Sequence, residues 1–177
     1  MYEGKLVRLR AKREEDAEHL ARWFGDLETA RLADGGAPFP QSRDEALKRV
    51  KEHNEGDFAV ETLDGRLLGD CGCYSVSRQS RNCQVGWMIG DPAMRGKGYG
   101  TDMIRVLLQY LFRERNMERV VLTVFSYNKA GIGLYEKLGF VREGALRDQV
   151  YTKGRYHDEY VYSMLRREYD ARCGENL

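Results

Sequence analysis

The sequence predicts a single α/β domain built on a mixed sheet, and three observations carry that expectation. Two strand-like runs in the first half are joined by Asp64-Gly65, the strongest short hairpin signal. The second half alternates strand-like runs with segments of helical periodicity. The length, 177 residues, fits one domain of ~100–200 residues, and no linker long enough to divide the chain interrupts it.

The elements follow in order. Lys5 to Arg10 alternates Leu6, Val7 and Leu9 with basic residues and reads as a first strand; Glu14-Glu15-Asp16 then loads acid onto the first turn of a helix carrying Leu20, Trp23 and Phe24. Asp34-Gly35-Gly36-Ala37-Pro38-Phe39-Pro40 holds the turn chemistry of this third of the chain. Ser42 with Glu45 three residues later forms a capping box for a helix to about His53. Phe58 to Thr62 and Arg66 to Ser75 form the Asp-Gly hairpin, which Asn82 to Ile89 extends into a meander. Tyr99, Met103, Ile104, Leu107, Leu108, Leu111 and Phe112 recur at spacings of three and four, predicting a long amphipathic helix from about Gly98 to Arg115. Val120 to Phe125 is a near-continuous apolar run, as in a strand covered on both faces, and Asn128 opens a helix closed by Gly139. Thr152-Lys153-Gly154 then turns a final long hairpin between Arg147–Tyr151 and Arg155–Leu165.

Composition narrows the function classes. Lys and Arg number 29 against 28 Asp and Glu, a net charge of +1, so neither nucleic acid nor an anionic membrane is implied as a partner. No apolar run approaches the ~20 residues that span a bilayer, and the start Met1-Tyr2-Glu3-Gly4-Lys5 lacks a signal peptide's apolar stretch; a soluble cytoplasmic protein is expected. Cys71, Cys73, Cys83 and Cys173 read as reduced thiols. With His19, His53 and His157 scattered, no metal site is expected.

Chemistry concentrates at Arg95-Gly96-Lys97-Gly98-Tyr99-Gly100. Alternate glycines at a helix N-terminus let backbone N–H groups approach a phosphate, although glycines alone also suit a turn with no ligand. Between Arg95 and Arg119, six basic residues face three acidic ones, a local excess of positive charge that would draw a phosphorylated ligand. The G-x-G-x-G spacing matches neither the dinucleotide fingerprint nor a P-loop, so NAD and ATP fit badly.

Arg95–Gly100 resembles the [RQ]-x-x-G-x-[GA] pyrophosphate loop of the GCN5-related N-acetyltransferase (GNAT) family. Asn128-Lys129-Ala130 with Leu134-Tyr135-Glu136-Lys137-Leu138-Gly139-Phe140 resembles the same family's downstream motif. Gly139 to Gly144 and Gly154 to Asp158 are similar to the branch holding ribosomal-protein alanine acetyltransferases and spermidine acetyltransferases. The resemblance covers nearly all of the chain, with a core of about residues 5–166. It implies a mixed central sheet splayed at an acetyl-CoA site with helices on both faces, no metal, and a monomer or homodimer.

The resemblance also implies residue roles. The strand Gly86-Trp87-Met88-Ile89 would pair with the pantetheine arm of acetyl-CoA through its backbone. Arg95, Gly96, Lys97, Gly98, Tyr99, Gly100 and Thr101 would receive the pyrophosphate, and the Asn128 side chain would hold the arm while also capping its helix. Tyr135 would be the catalytic acid that protonates the departing thiolate, although by itself it reads as a core aromatic. Two positions depart from the family pattern: Gln84 stands where a glutamate base is usual, and Gly131 where several N-terminal acetyltransferases have serine. Asp70, Glu61, His157 or a water chain remain as bases, and one or two of Tyr151, Tyr156, Tyr160 and Tyr162 could line the acceptor cleft. The acceptor is expected to be a primary amine. The absent glutamate favours an N-terminal α-amine of pKa near ~8 over a polyamine, antibiotic or amino acid amine. A non-catalytic acyl-CoA-binding domain is the other alternative, supported by Gln84 and Gly131 and opposed by Tyr135.

Overall fold

The computed structural model describes residues 1–33, 37–52 and 55–173, the side chain of the last excepted. The described elements are β1 (Tyr2–Glu3), β2 (Val7–Arg10), α1 (Asp16–Gly25), α2 (Leu27–Ala33), α3 (Arg43–Lys51), β3 (Asp57–Thr62), β4 (Leu67–Ser77) and β5 (Asn82–Ile89). They continue as α4 (Tyr99–Gln109), β6 (Arg119–Phe125), α5 (Lys129–Leu138), β7 (Val141–Thr152), β8 (Arg155–Leu165) and α6 (Arg166–Cys173). The strands form one mixed sheet in the order β1-β2-β3-β4-β5-β6-β8-β7, antiparallel except for the β5–β6 pair.

Strand alternation assigns the two faces. Val7 and Leu9 on β2, Cys83 and Val85 on β5, and Val120, Leu122 and Val124 on β6 point to the face covered by α4, whose Met103, Ile104 and Leu107 are fully buried there. Each such side chain contributes about 1.5–3 kcal/mol of burial. Met88 points the other way, into a second cluster with Ala17, Leu20, Trp23 and Phe24 of α1 and Val50 of α3. Helices therefore cover both faces, as expected. A buried ion network holds the entry to α1: Arg10 donates to Glu61 at 2.6 Å and to Asp16 at 2.8 Å.

Other details differ from the sequence-based expectation. The first helix breaks at Asp26, whose side chain accepts from Thr29 N–H at 3.0 Å and so starts a separate α2. The last turn of the long helix, Tyr110–Glu114, is π-helical. β6 is not covered on both faces: Thr123 is exposed between buried Leu122 and Val124. The short β1 and α6 were not anticipated. Asp34, Gly35, Gly36, His53 and the Cys173 thiol lie outside the described residues.

Candidate active site

The β5–β6 ladder runs from Asn82↔Arg119 to Gln84↔Val121 and stops. Beyond it, β5 stays paired with β4 as far as Gly69↔Ile89, and β6 stays paired with β8 as far as Phe125↔Glu159. Each strand follows its outer partner, so the sheet opens between them. Gly90 N–H bonds to Leu68 O across β4, and alternation along an antiparallel pair then turns the N–H and C=O of Trp87 toward the gap. This is the splay that the resemblance implies.

Two cavities meet in the opening. One, of about 480 Å³, lies over Trp87, Met88 and Ile89 and reaches the glycine loop at Arg95, Gly96, Gly98, Gly100 and Thr101. The other, of about 230 Å³, is lined by Tyr74, Gly86, Thr123, Phe125 and Glu159. Leu32, Ala33, Trp87, Asn128 and Tyr135 border both, which makes them the junction.

Sequence chemistry explains the loop. Gly96 and Gly98 have φ of +73° and +89°, values that L side chains rarely adopt, and Gly98 is the N-cap of α4 without a side-chain cap. The N–H groups of Tyr99, Gly100 and Thr101 therefore begin the helix with no intrahelical acceptor, suited to an anion. Arg95 is oriented by two bonds, Nε to Ile89 O at 3.1 Å and Nη2 to Thr29 Oγ1 at 2.8 Å, which join the loop to α2. Lys97 is exposed and Tyr99 packs against the main core; neither side chain borders the cavity, whereas Lys137 of α5 does.

Asn128 caps α5, its Oδ1 accepting from Gly131 N–H at 3.0 Å. A Cβ at Gly131 would stand 2.9 Å from the Asn128 carboxamide, so glycine there accompanies this cap. Tyr135 is 7% exposed, and its hydroxyl oxygen accepts from Trp87 Nε1–H at 3.0 Å. Burial pushes the phenol above its ordinary value near 10, and the Trp87 hydrogen bond opposes that only in part. The group is thus a neutral acid with its own proton left to donate.

The base candidates do not converge here. Glu61 is buried against Arg10, and Asp70 pairs with Lys12 at 3.2 Å. His157 packs edge-on against Tyr127 at 4.9 Å. None of the three borders either cavity, and Gln84 lies exposed opposite Tyr74. The carboxylate that does is Glu159, which sequence reasoning missed. Burial raises the phenols of Tyr74 and Tyr127, and the Glu159 charge raises both further. Nothing local marks Glu159; only the β6–β8 register brings it opposite Phe125. Of the hairpin tyrosines, Tyr162 is buried and donates to Glu136 at 2.9 Å, Tyr151 and Tyr156 are exposed against one another, and Tyr160 lies 3.4 Å from the Arg142 guanidinium carbon. None borders the smaller cavity. That side is roofed by α2, tied down by Tyr127 Oη to Arg31 O at 2.8 Å and by Lys153 to Glu28 at 2.9 Å.

Among the described residues no cluster could hold a metal ion, and no helix is long and apolar enough to cross a membrane. Comparison with known proteins gives the same assignment as the geometry. Residues 7–141 match the acetyltransferase (GNAT) domain family. The chain is 34% identical over 140 residues to the SPbeta prophage-derived uncharacterized N-acetyltransferase YokL of Bacillus subtilis, covering 77% of this chain and 78% of that one. The structure of spermidine N-acetyltransferase from Vibrio cholerae in complex with CoA and spermine superposes with a TM-score of 0.83, at 26% identity over 92% of this chain and 97% of that one. The ribosomal-protein α-N-acetyltransferase RimL shares the fold, with a TM-score of 0.79 at 16% identity over 91% and 94%. With its split sheet, its uncapped glycine loop and a matching domain over most of its length, the chain belongs to the GNAT family and is an acetyl-CoA-dependent N-acetyltransferase.

Proposed function

We propose that the chain works as one N-acetyltransferase domain that acetylates the α-amine at the N-terminus of a protein or peptide. The observation that carries this reading is the junction at Tyr135 between a phosphate-ready cavity and an acceptor cavity with a carboxylate, Glu159. The residues present fit acetyl-CoA. Backbone amides of Gly96 to Thr101 hold the pyrophosphate, the gap-facing edge of Trp87 and the Asn128 carboxamide hold the arm, and the thioester supplies the acetyl group. Arg95, Lys97 and Tyr99 stand in the same loop, Lys97 adding charge from outside the cavity.

The chain's own groups divide the proton work. Glu159 takes the proton that the amine nitrogen releases as it bonds to the acetyl carbon. Tyr135 gives its phenol proton to the leaving sulfur. Leu32 and Ala33 of α2 cover one side of the junction. Among the described residues lining the acceptor cavity, Glu159 is the only charged one. A single carboxylate suits an α-amine, partly neutral at pKa near ~8, better than a polyamine whose several ammonium groups have pKa values near ~10. A polyamine acceptor is the second reading, favoured by the likeness to the Vibrio cholerae spermidine enzyme.

A thiol-release assay with acetyl-CoA separates the two. Peptides with free N-termini should turn over with kcat/KM at least about tenfold above spermidine and spermine, and mass spectrometry should locate the acetyl group on the α-nitrogen. Preference for spermidine would replace the α-amine reading with the polyamine one.

A further inference from the structure

Trp87 reaches the junction twice, by its backbone edge in the sheet gap and by its indole, and only the first follows from strand position. The indole ring meets the Tyr135 ring edge-on with centroids 5.4 Å apart, and Nε1–H donates to the phenol oxygen at 3.0 Å. Phe140 packs edge-on against both rings, at 6.4 Å from Trp87 and 6.1 Å from Tyr135. Tyr162 closes on Tyr135 at 6.3 Å, while its own hydroxyl is committed to Glu136. The Tyr135 side chain is thus held on several sides by aromatic rings, and the hydrogen bond to its oxygen comes from Trp87.

We propose that the Trp87 indole N–H is a positioning group for acetyl transfer: it occupies one lone pair of the Tyr135 oxygen, turns the phenol proton toward the cleft, and stabilises the phenolate formed when that proton leaves. The inference rests on Tyr135 being the acid. In that step the phenol O–H bond breaks and an S–H bond forms on the departing thiolate as the carbon–sulfur bond breaks. The amine nitrogen, on bonding to the acetyl carbon, releases a proton to Glu159 and solvent, and the phenolate takes one back from solvent, so protons balance over a cycle. A neutral N–H···O bond in the resting enzyme becomes charge-assisted when the oxygen is anionic, so the indole favours the state after proton transfer over the one before it. A phenylalanine at position 87 would keep an aromatic ring there without that donor.

The test is a double-mutant cycle of Trp87→Phe and Tyr135→Phe, with the benzothiophene analogue of tryptophan at position 87 as the shape-preserving control, since it has sulfur in place of the N–H. Trp87→Phe and the analogue should each lower kcat about tenfold, while KM for acetyl-CoA stays within about threefold, because the backbone edge is retained. In the Tyr135→Phe background neither change should lower the rate further. A second readout needs no turnover. The protein has two tryptophans, so indole 15N NMR gives two N–H signals, and Tyr135→Phe should shift one of them and hasten its exchange with solvent. If Tyr135→Phe leaves kcat within a few-fold of wild type, the acid assignment itself is wrong. If Tyr135→Phe costs about 100-fold but the analogue is within about twofold of wild type, or the effects of the two sites multiply, the acid stands and the positioning role of Trp87 is overturned.

Discussion

Gly98→Asp tests the anion site at its tightest point. At φ +89° the backbone of residue 98 disfavours any L side chain, a strain of about 1–2 kcal/mol. The nearest neighbour to a new Cβ is Leu6 Cδ1 at 3.3 Å, a side-chain end that can give way, so the variant should fold within a typical stability of about 5–15 kcal/mol. A carboxylate about 5 Å from a pyrophosphate charge at an effective dielectric of about 20 adds about 3 kcal/mol of repulsion, a loss of roughly 100-fold or more in affinity. Gly98→Ala carries the strain without the charge and separates the two effects: its stability should fall by the same 1–2 kcal/mol, and its CoA affinity by less than about tenfold. Titration calorimetry with CoA, alongside urea unfolding of each variant, reads both quantities. A folded Gly98→Asp protein binding CoA within about threefold of wild type would refute pyrophosphate binding at this loop.

Three further outcomes follow from the same geometry. Tyr135→Phe should lower kcat about 100-fold with CoA affinity unchanged; because burial raises the phenol and keeps it protonated, the alkaline limb lost in this variant should lie above pH 10, and a limb near pH 8 would show another group at work. Glu159→Gln should lower kcat/KM for the amine about 10–100-fold while leaving CoA binding unchanged; equal loss in both would make Glu159 a structural residue of the β6–β8 pair. Arg10→Met strands the carboxylates of Asp16 and Glu61 in the interior and should cost about 3–5 kcal/mol in urea unfolding, whereas acetyl transfer per folded molecule should persist, since neither carboxylate borders the cleft.

What the sequence disclosed follows from which interactions are local. The capping box appears as read, with Ser42 N–H bonded to Glu45 at 2.7 Å and Glu45 N–H to Ser42 at 3.2 Å. The Asp64-Gly65 hairpin, the Asn128 cap and the α4 core stripe are also local, and all are present. The break at Asp26 was missed because the apolar pattern of α1 leads straight into Leu27, and the side chain of Asp26 restarts the helix instead of continuing it. Glu159 was missed for a different reason: its place in the cleft depends on register with a strand far away in sequence. The base candidates failed likewise, because Arg10 and Lys12, distant from Glu61 and Asp70 in the chain, take up those carboxylates in space.

The opening between β5 and β6 is a sheet edge that faces inward. Edges at the periphery invite other chains to add a strand, and proteins blunt them with charge or cover. Here an unpaired edge lies in the middle of the sheet, between strands already committed to β4 and β8. An intruding strand would need about 4.8 Å on each side, whereas the slot narrows to ordinary ladder spacing at Gln84 and Val121. A thin, flexible arm can follow the taper inward, whereas an added strand finds Gln84 and Val121 already paired with each other at its base. The same wedge that makes backbone hydrogen bonds available to a ligand therefore keeps them from a neighbouring chain, and the protein carries a permanently unfinished ladder without becoming a template for aggregation.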